Sequence, residues 1–380
     1  MIRRPPRATP KPSSAASDVY KRQIPYTGTE KGKLFAQEVA YIQGWINKVR
    51  ELGVTHEDVQ GLDDISVAEL LRKNGAPEDI IELYTYTNAT ESTSIPSRMS
   101  ALNMVLANSR TSAFSENTEE GRILGGNDQL PKTFAKRLRN KIHYGRAVRA
   151  IDYTRGRATV HFIENNKLQS ISGSRCVLAT PLPILRRFKI NPTFSDSKMH
   201  CIRSQSYGHV MKIAMQFRRR FWDQSSSIGQ RVFTDTPLRR VYHFSIDQPG
   251  PRGIILSFTS GKDAAKLGRM SEQKRMHTAQ LTCMDIWEQT PQYWEGGVTK
   301  YWNEDPWTRA SYSIAGVGQK DFQEILSKSE GIFHFAGEHT SIHRASMNGA
   351  IESGIRTLSL IHISEPTRPL YISYAVFCLK

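Results

Sequence analysis

Twenty residues near the C-terminal end, Phe335 to Gly354 (FAGEHTSIHRASMNGAIESG), constrain the fold more than any other stretch of this 380-residue chain. They follow and overlap an apolar run, Ile332-Phe333-His334-Phe335-Ala336, that reads as a buried strand. Gly337 ends the strand, where a turn can use backbone conformations closed to residues that carry a Cβ. A short polar stretch follows, and a helix starts at about Met347 with the small residues Gly349, Ala350, Ser353 and Gly354 along it. A helix that begins just beyond a strand presents N–H groups with no acceptor inside the helix, so it can hold an anion or a dipole. Plain packing is the competing use of such a unit.

Composition sets the outer bounds. The chain is 38% apolar and 23% charged and has no long apolar run, which describes a soluble globular protein without a membrane span, of one large or two smaller domains. Its net charge of +16 invites a nucleic-acid reading, but Arg3, Arg4, Arg7, Lys11, Lys21 and Arg22 crowd the first 23 residues. The internal basic runs, such as Lys136-Arg137-Leu138-Arg139 and Arg218-Arg219-Arg220, are short and scattered. They read as solvated faces, and no nucleic-acid partner is expected. Cys176, Cys201, Cys283 and Cys378 form no CxxC and no dense framework, so reduced thiols are expected.

Residues 1–23 and 359–380 lack periodicity and an apolar signal region, and they read as non-native or disordered ends. The natural segment is then about 24–358, expected to be a piece of a longer protein. Residues 24–112 read as helices: Leu34, Val39, Ile42, Trp45, Ile46 and Val49 recur at helical spacing, and Asp64 or Ser66 can cap Val67 to Lys73. Past Gly121 a glycine turn, Gly125-Gly126, precedes a helix from Lys132 to Leu138. Strands are expected at Ile142–Tyr144, Ala147–Tyr153, Ala158–Ile163, Gln169–Ser172 and Cys176–Ala179. Strands at Val210–Phe217 and Gly253–Ser257 and a helix at Ser271–Trp287 follow. That order predicts an α/β layer with an antiparallel insert.

Four places can carry chemistry. The paired glycines Gly125 and Gly126 allow close backbone approach to a planar ring, or make an ordinary turn. Lys212 sits inside an apolar strand, costly unless it is paired, functional, or on a solvent-facing edge. Trp302 and Tyr312 belong to an aromatic segment whose faces suit an amine, or a core. His339 and His343 lie four apart beside Glu338, but in a turn rather than on one helical face, so no metal site is expected.

The wording of these motifs resembles the flavin-containing amine oxidases, the family of monoamine, polyamine and L-amino-acid oxidases. The matched pieces are Phe335-Ala336-Gly337-Glu338, Met347 to Gly354, Gly125 to Pro131, Arg146 to Ile151, the strand around Lys212, and the Tyr301–Tyr312 segment. The resemblance implies a two-domain FAD-dependent fold, α/β with mixed α+β character, that lacks its N-terminal βαβ dinucleotide-binding unit. The FAD domain would take 124–200 and 306–358, and the substrate domain 24–123 (helical) and 201–305 (sheet). It implies that Gly125, Gly126, Val148, Gly337, Glu338 and Met347 bind the cofactor. Lys212 would hold a water at flavin N5, and Trp302, Tyr312 and Ser346 would face the substrate. The implied partners are a small amine or amino acid and O2, with a homodimer among the assemblies it allows.

The departures are specific. Gly316-Val317-Gly318 fails as a GxGxxG because residue 321 is Asp, and no other such fingerprint is present. Ala345-Ser346 stands where the family places Gly and an aromatic ring. A polyamine or protein-lysine oxidase of the same fold, and a flavin-fold protein that binds without turnover, are the rival readings.

Overall fold

The computed structural model describes residues 2–3, 16–20, 22–25, 30–111, 122–224, 231–246 and 248–363. Most of the expected non-native ends, and Cys378, lie outside them. Short strands at Ile2–Arg3, Ala16–Tyr20 and Arg22–Pro25 fall in the first 25 residues, and the last helix, Met347–Ile363, runs past residue 358.

Three hydrophobic centres organise the chain. The first belongs to the helical part. Ile42, Ile46 and Val49 of the helix Glu30–Leu52 pack on Leu70, Leu71, Ile80 and Val105. The helix Val67–Lys73 starts at a capping box: Glu69 N–H donates to Ser66 Oγ at 3.2 Å, and Ser66 N–H donates to Glu69 Oε2 at 2.7 Å. Each bond satisfies an N–H that the helix cannot.

The second centre lies under a seven-stranded sheet. Its order is Trp294–Tyr301, Val210–Phe217, Gly253–Ser260, Arg240–His243, Arg231–Thr234, Ala16–Tyr20, Arg22–Pro25. Side chains alternate along Val210–Phe217. Met211, Ile213, Met215 and Phe217 are wholly buried, in one cluster with Ala279, Cys283 and Ile286 of the helix Glu272–Ile286. Lys212, Ala214 and Gln216 therefore take the opposite face. Three strands here, Arg231–Thr234, Arg240–His243 and Trp294–Tyr301, escape the sequence reading because they contain arginines or glycines. Gly297 is in its strand by necessity: a Cβ there would sit 2.2 Å from the Ala214 carbonyl oxygen.

The third centre joins the remaining layers. The antiparallel ribbon Ala147–Thr154, Arg157–Glu164 and Lys167–Gly173 carries Lys189–Asn191 as a parallel edge. Cys176–Leu178 pairs in parallel with Phe333–Phe335. Thr357 Oγ1 on the helix Met347–Ile363 donates to the Phe335 carbonyl at 3.0 Å, which holds that helix on the pair. Lys198 is buried beneath, donating to the carbonyls of Ile325, Leu326 and Lys328 at 2.5, 3.1 and 2.6 Å. It serves as a cation at the C-terminal end of the helix Phe322–Ser327.

Two expectations need correction. Ile142–Tyr144 is not a strand: Ile142 makes a lone bridge and Tyr144-Gly145 turns, with Gly145 at φ 73°. The helix expected from Lys132 begins at Gln129, because Pro131 falls in its first turn, where a missing N–H costs nothing.

Candidate functional site

The site grows from the segment that ends the buried strand. Gly337 has φ 120°, a left-handed value suited to glycine, and a Cβ there would lie 2.5 Å from His339 Cε1. Its N–H donates to Ser353 Oγ at 2.9 Å. Glu338 ties this turn to a distant segment: it accepts from Ser313 N–H at 2.9 Å, Ser313 Oγ at 2.8 Å and Ala345 N–H at 2.8 Å. Ser313 is the neighbour of Tyr312, so the turn and the aromatic segment meet as one unit. Ala345 has φ 61°, a left-handed conformation that costs a residue with a Cβ about 1–2 kcal/mol.

Ser346 is exposed, and its role is visible. Its hydroxyl accepts from Gly349 N–H at 3.0 Å and donates to the His343 carbonyl at 2.7 Å, which makes it the N-cap of the last helix. Met347 opens that helix 44% exposed. The N–H groups of its first turn are those a helix cannot satisfy itself, beside the C-terminal end of the parallel strand pair, where open α/β sheets bind ligands.

His339 is buried within the turn, and burial, with Arg344 and Lys198 adding positive charge nearby, depresses its pKa from 6.5 to about 3. The folded chain keeps it neutral while the unfolded chain protonates it near 6.5, so its contribution to stability is complete above that pH and is lost as pH falls toward 3. The slope is about 1.4 kcal/mol per pH unit. His339→Gln is expected to remove about 2 kcal/mol of the stability difference between pH 7 and pH 5, read by urea denaturation at both. An unchanged pH dependence would show that His339 does not titrate this way.

Lys212 stands on the face of the large sheet opposite Met211, Ile213 and Met215. Its strand is interior, flanked by Gly253–Ser260 and Trp294–Tyr301, so the solvent-facing-edge reading is wrong. Its Nζ lies 3.4 Å from the centroid of the Phe258 ring, its cross-strand neighbour. Trp302, 37% exposed, is next to that face and carries Lys300 Nζ at 4.9 Å from its ring. The Tyr312 hydroxyl donates to the Glu91 carbonyl, and burial pushes its pKa well above the usual phenol value.

The remaining predicted residues lie apart in local structure. Gly125 and Gly126 have φ 85° and 104° in an exposed turn held by local bonds: Gly126 N–H donates to the Ile123 carbonyl, and Gln129 N–H to the Gly126 carbonyl. Val148 pairs with Phe162 at a register shift and packs on the third core. It sits just before Ala150, where the parallel strand Lys189–Asn191 begins its pairing.

Three further groups had no sequence signal. Thr180 Oγ1, just past the strand Cys176–Leu178, Tyr207 Oη and Arg344 Nη1 are buried without a hydrogen-bond partner. Arg344 has its pKa lowered by burial, offset by the charge of Glu338, and Tyr207 is raised by burial and again feels Glu338. Buried polar groups are almost always paired. Orphans around Glu338 and at the end of a parallel strand fit a polar nucleotide cofactor such as a flavin dinucleotide.

Comparison with known proteins agrees. The family model of flavin containing amine oxidoreductases matches residues 31–359. The chain is 28% identical over 257 residues to a flavin-dependent L-tryptophan oxidase of Lentzea aerocolonigenes, covering 64% of this chain and 53% of that protein. It is 28% identical over 255 residues to an L-amino-acid oxidase of Siganus canaliculatus, covering 65% and 48%. The chain thus spans about half the length of these curated relatives. Among solved structures, putrescine oxidase bound to putrescine superposes with a TM-score of 0.77 at 19% identity, over 92% of this chain and 81% of that one, which shows the fold.

Proposed function

The chain belongs to the flavin-containing amine oxidoreductases, and from that premise we propose that the protein is an FAD-dependent oxidase of L-amino acids or amines. FAD would supply the two-electron acceptor for a hydride from the α-carbon; the imine product would hydrolyse in water, and O2 would take up the electrons to give H2O2. The observation that carries this reading is Lys212, a lysine on an interior strand of the large sheet held against the Phe258 ring.

The chain's own residues supply position and charge. The Met347 helix terminus favours negative charge on a bound ring. Gly337 and Glu338 fix the turn beside it, Gly125-Gly126 permits close backbone approach, and Val148 offers backbone at an open register position. Lys212 holds a water and its proton at the reacting face. Tyr312 and Trp302 wall the amine, with Ser346 at the helix cap between cofactor and substrate sides.

The longer parent protein, loaded with FAD, is expected to release H2O2 with at least one member of a panel of L-amino acids and primary amines, and silence across the panel with flavin bound would overturn the proposal. The 380 residues alone are proposed to hold FAD weakly and to be inactive, since no GxGxxG cradles the pyrophosphate; Gly318 instead turns to donate its N–H to Asp63. A full equivalent of flavin surviving gel filtration would refute that. One observation favours a second reading, a flavin-fold protein that binds without turnover: Ser346 is engaged as a cap and gives the amine no second ring. Peroxide release rules it out.

A further inference from the structure

Two cavities indent the helical part of the chain and share a wall. One, of about 320 Å³, is lined by Ala40, Tyr41, Gly44, Trp45, Lys48 and Asn74. The other, of about 270 Å³, also takes in Trp45 and Asn74 and extends to Asp58 and Lys73. Its floor includes Leu62 and Leu70, both buried in the first hydrophobic centre. Tyr41 and Trp45 are half-buried and pack against that same centre, so the groove has fixed aromatic walls.

The groove exists because two positions on the helix Glu30–Leu52 carry almost no side chain. Ala40, Gly44 and Lys48 recur at four-residue spacing, and so do Tyr41 and Trp45, which sets small residues beside aromatic rings on one face. After proline, glycine is the poorest residue for a helix interior. Packing does not account for Gly44, because a Cβ there would meet nothing within 4 Å, and its φ lies outside the left-handed range. The fold would accept a larger side chain at this position, and that side chain would fill the gap.

Charge indicates what the gap suits. Lys48 and Lys73 stand against Asp58 alone, an excess of one positive charge among the lining residues. Lys48 Nζ lies 5.0 Å from the centre of the Trp45 ring and donates to the Asp58 carboxylate at 2.6 Å. The two side chains of that pair are 36% and 49% exposed. An ion pair so open to water holds its partners weakly, so an anion in the groove can draw the ammonium onto itself. A flat ring laid on the aromatic walls, with its acidic group at Lys48, uses both features. A volume of about 300 Å³ is the low end for a small-molecule site and accommodates one or two fused rings.

We propose that this groove binds a planar aromatic anion, with the ring on Tyr41 and Trp45 and the charge on Lys48.

Naphthalene-2-sulfonate is the probe and naphthalene-2-sulfonamide its neutral counterpart, with binding to the full chain measured by calorimetry. Neither flavin nor turnover is needed, so the result is independent of the oxidase reading. The sulfonate is expected to bind roughly tenfold more tightly than the sulfonamide. Gly44→Leu is expected to weaken both by about tenfold or more, with a urea midpoint equal to or above that of the parent, because leucine is the better helix former. Lys48→Met is expected to erase the margin of the sulfonate and leave the sulfonamide unchanged, and it decides the matter alone should Gly44→Leu fail to fold. No binding of the sulfonate, equal binding of the two probes, unchanged affinity in folded Gly44→Leu, or a margin that survives Lys48→Met would each overturn the assignment.

Discussion

Gly349→Ala is expected to cost about 3 kcal/mol or more, the upper range for forcing a carbon into a packed site. A Cβ at residue 349 would sit 2.1 Å from the His343 carbonyl oxygen and 2.9 Å from its carbonyl carbon. Both are backbone atoms, so no rotamer change relieves the clash. Moving the carbonyl is costly too, because it accepts the Ser346 hydroxyl that caps the helix. Ser341 Oγ lies 3.1 Å from the same point and crowds it further. Gly354, one turn further along the same helix, is the control: nothing lies within 4 Å of its added Cβ, and Gly354→Ala is expected to gain about 0.5–1 kcal/mol from helix propensity. Urea denaturation of the pair decides it. Equal and small effects would mean that residue 349 is not held against the turn.

The contrast between these two glycines shows how far the sequence could be read. The strand, the turn and the helix start were legible because each has a local signature: an apolar run, a glycine at the break, and small residues at helical spacing. Ser346 was legible only in part. Its place in an aligned motif suggested a substrate wall, while the simpler reading, a serine just ahead of a helix, is the preferred N-cap and is what its bonds show. The Glu338 link to Ser313 spans 25 positions and the Arg240–Glu91 pair 149, and nothing local in the chain encodes either. The same holds for the strand Arg240–His243, where four residues rich in polar atoms become a strand because Gly253–Ser260 and Arg231–Thr234 pair with them on either side. Tyr207 and Arg344 announce themselves by an unmet hydrogen bond, a property of the packed interior alone.

Lys212 is where local cost and proposed chemistry meet, and its replacement has the largest expected effect on activity. In the longer parent protein loaded with FAD, Lys212→Met is expected to lower peroxide release about 100-fold, the lower range for removing a positioned proton carrier. Stability is expected to move far less than activity, because the exchange at the Phe258 ring is close to even. Methionine gives up a cation–π contact with Phe258, worth about 0.5–2 kcal/mol. It gains a sulfur–aromatic contact of about 0.3–1.5 kcal/mol with the same ring. It also removes the like-charge pairing of Lys212 directly across from Lys300, a cation already answered by Asp305 at 2.7 Å. Peroxide assays and urea denaturation on one preparation give both numbers. Activity and stability falling together would make Lys212 a structural cation, and unchanged activity would remove it from the chemistry. A 100-fold loss of turnover in a protein as stable as the parent is the result that only a functional lysine produces, since a lysine kept for the fold would take stability with it.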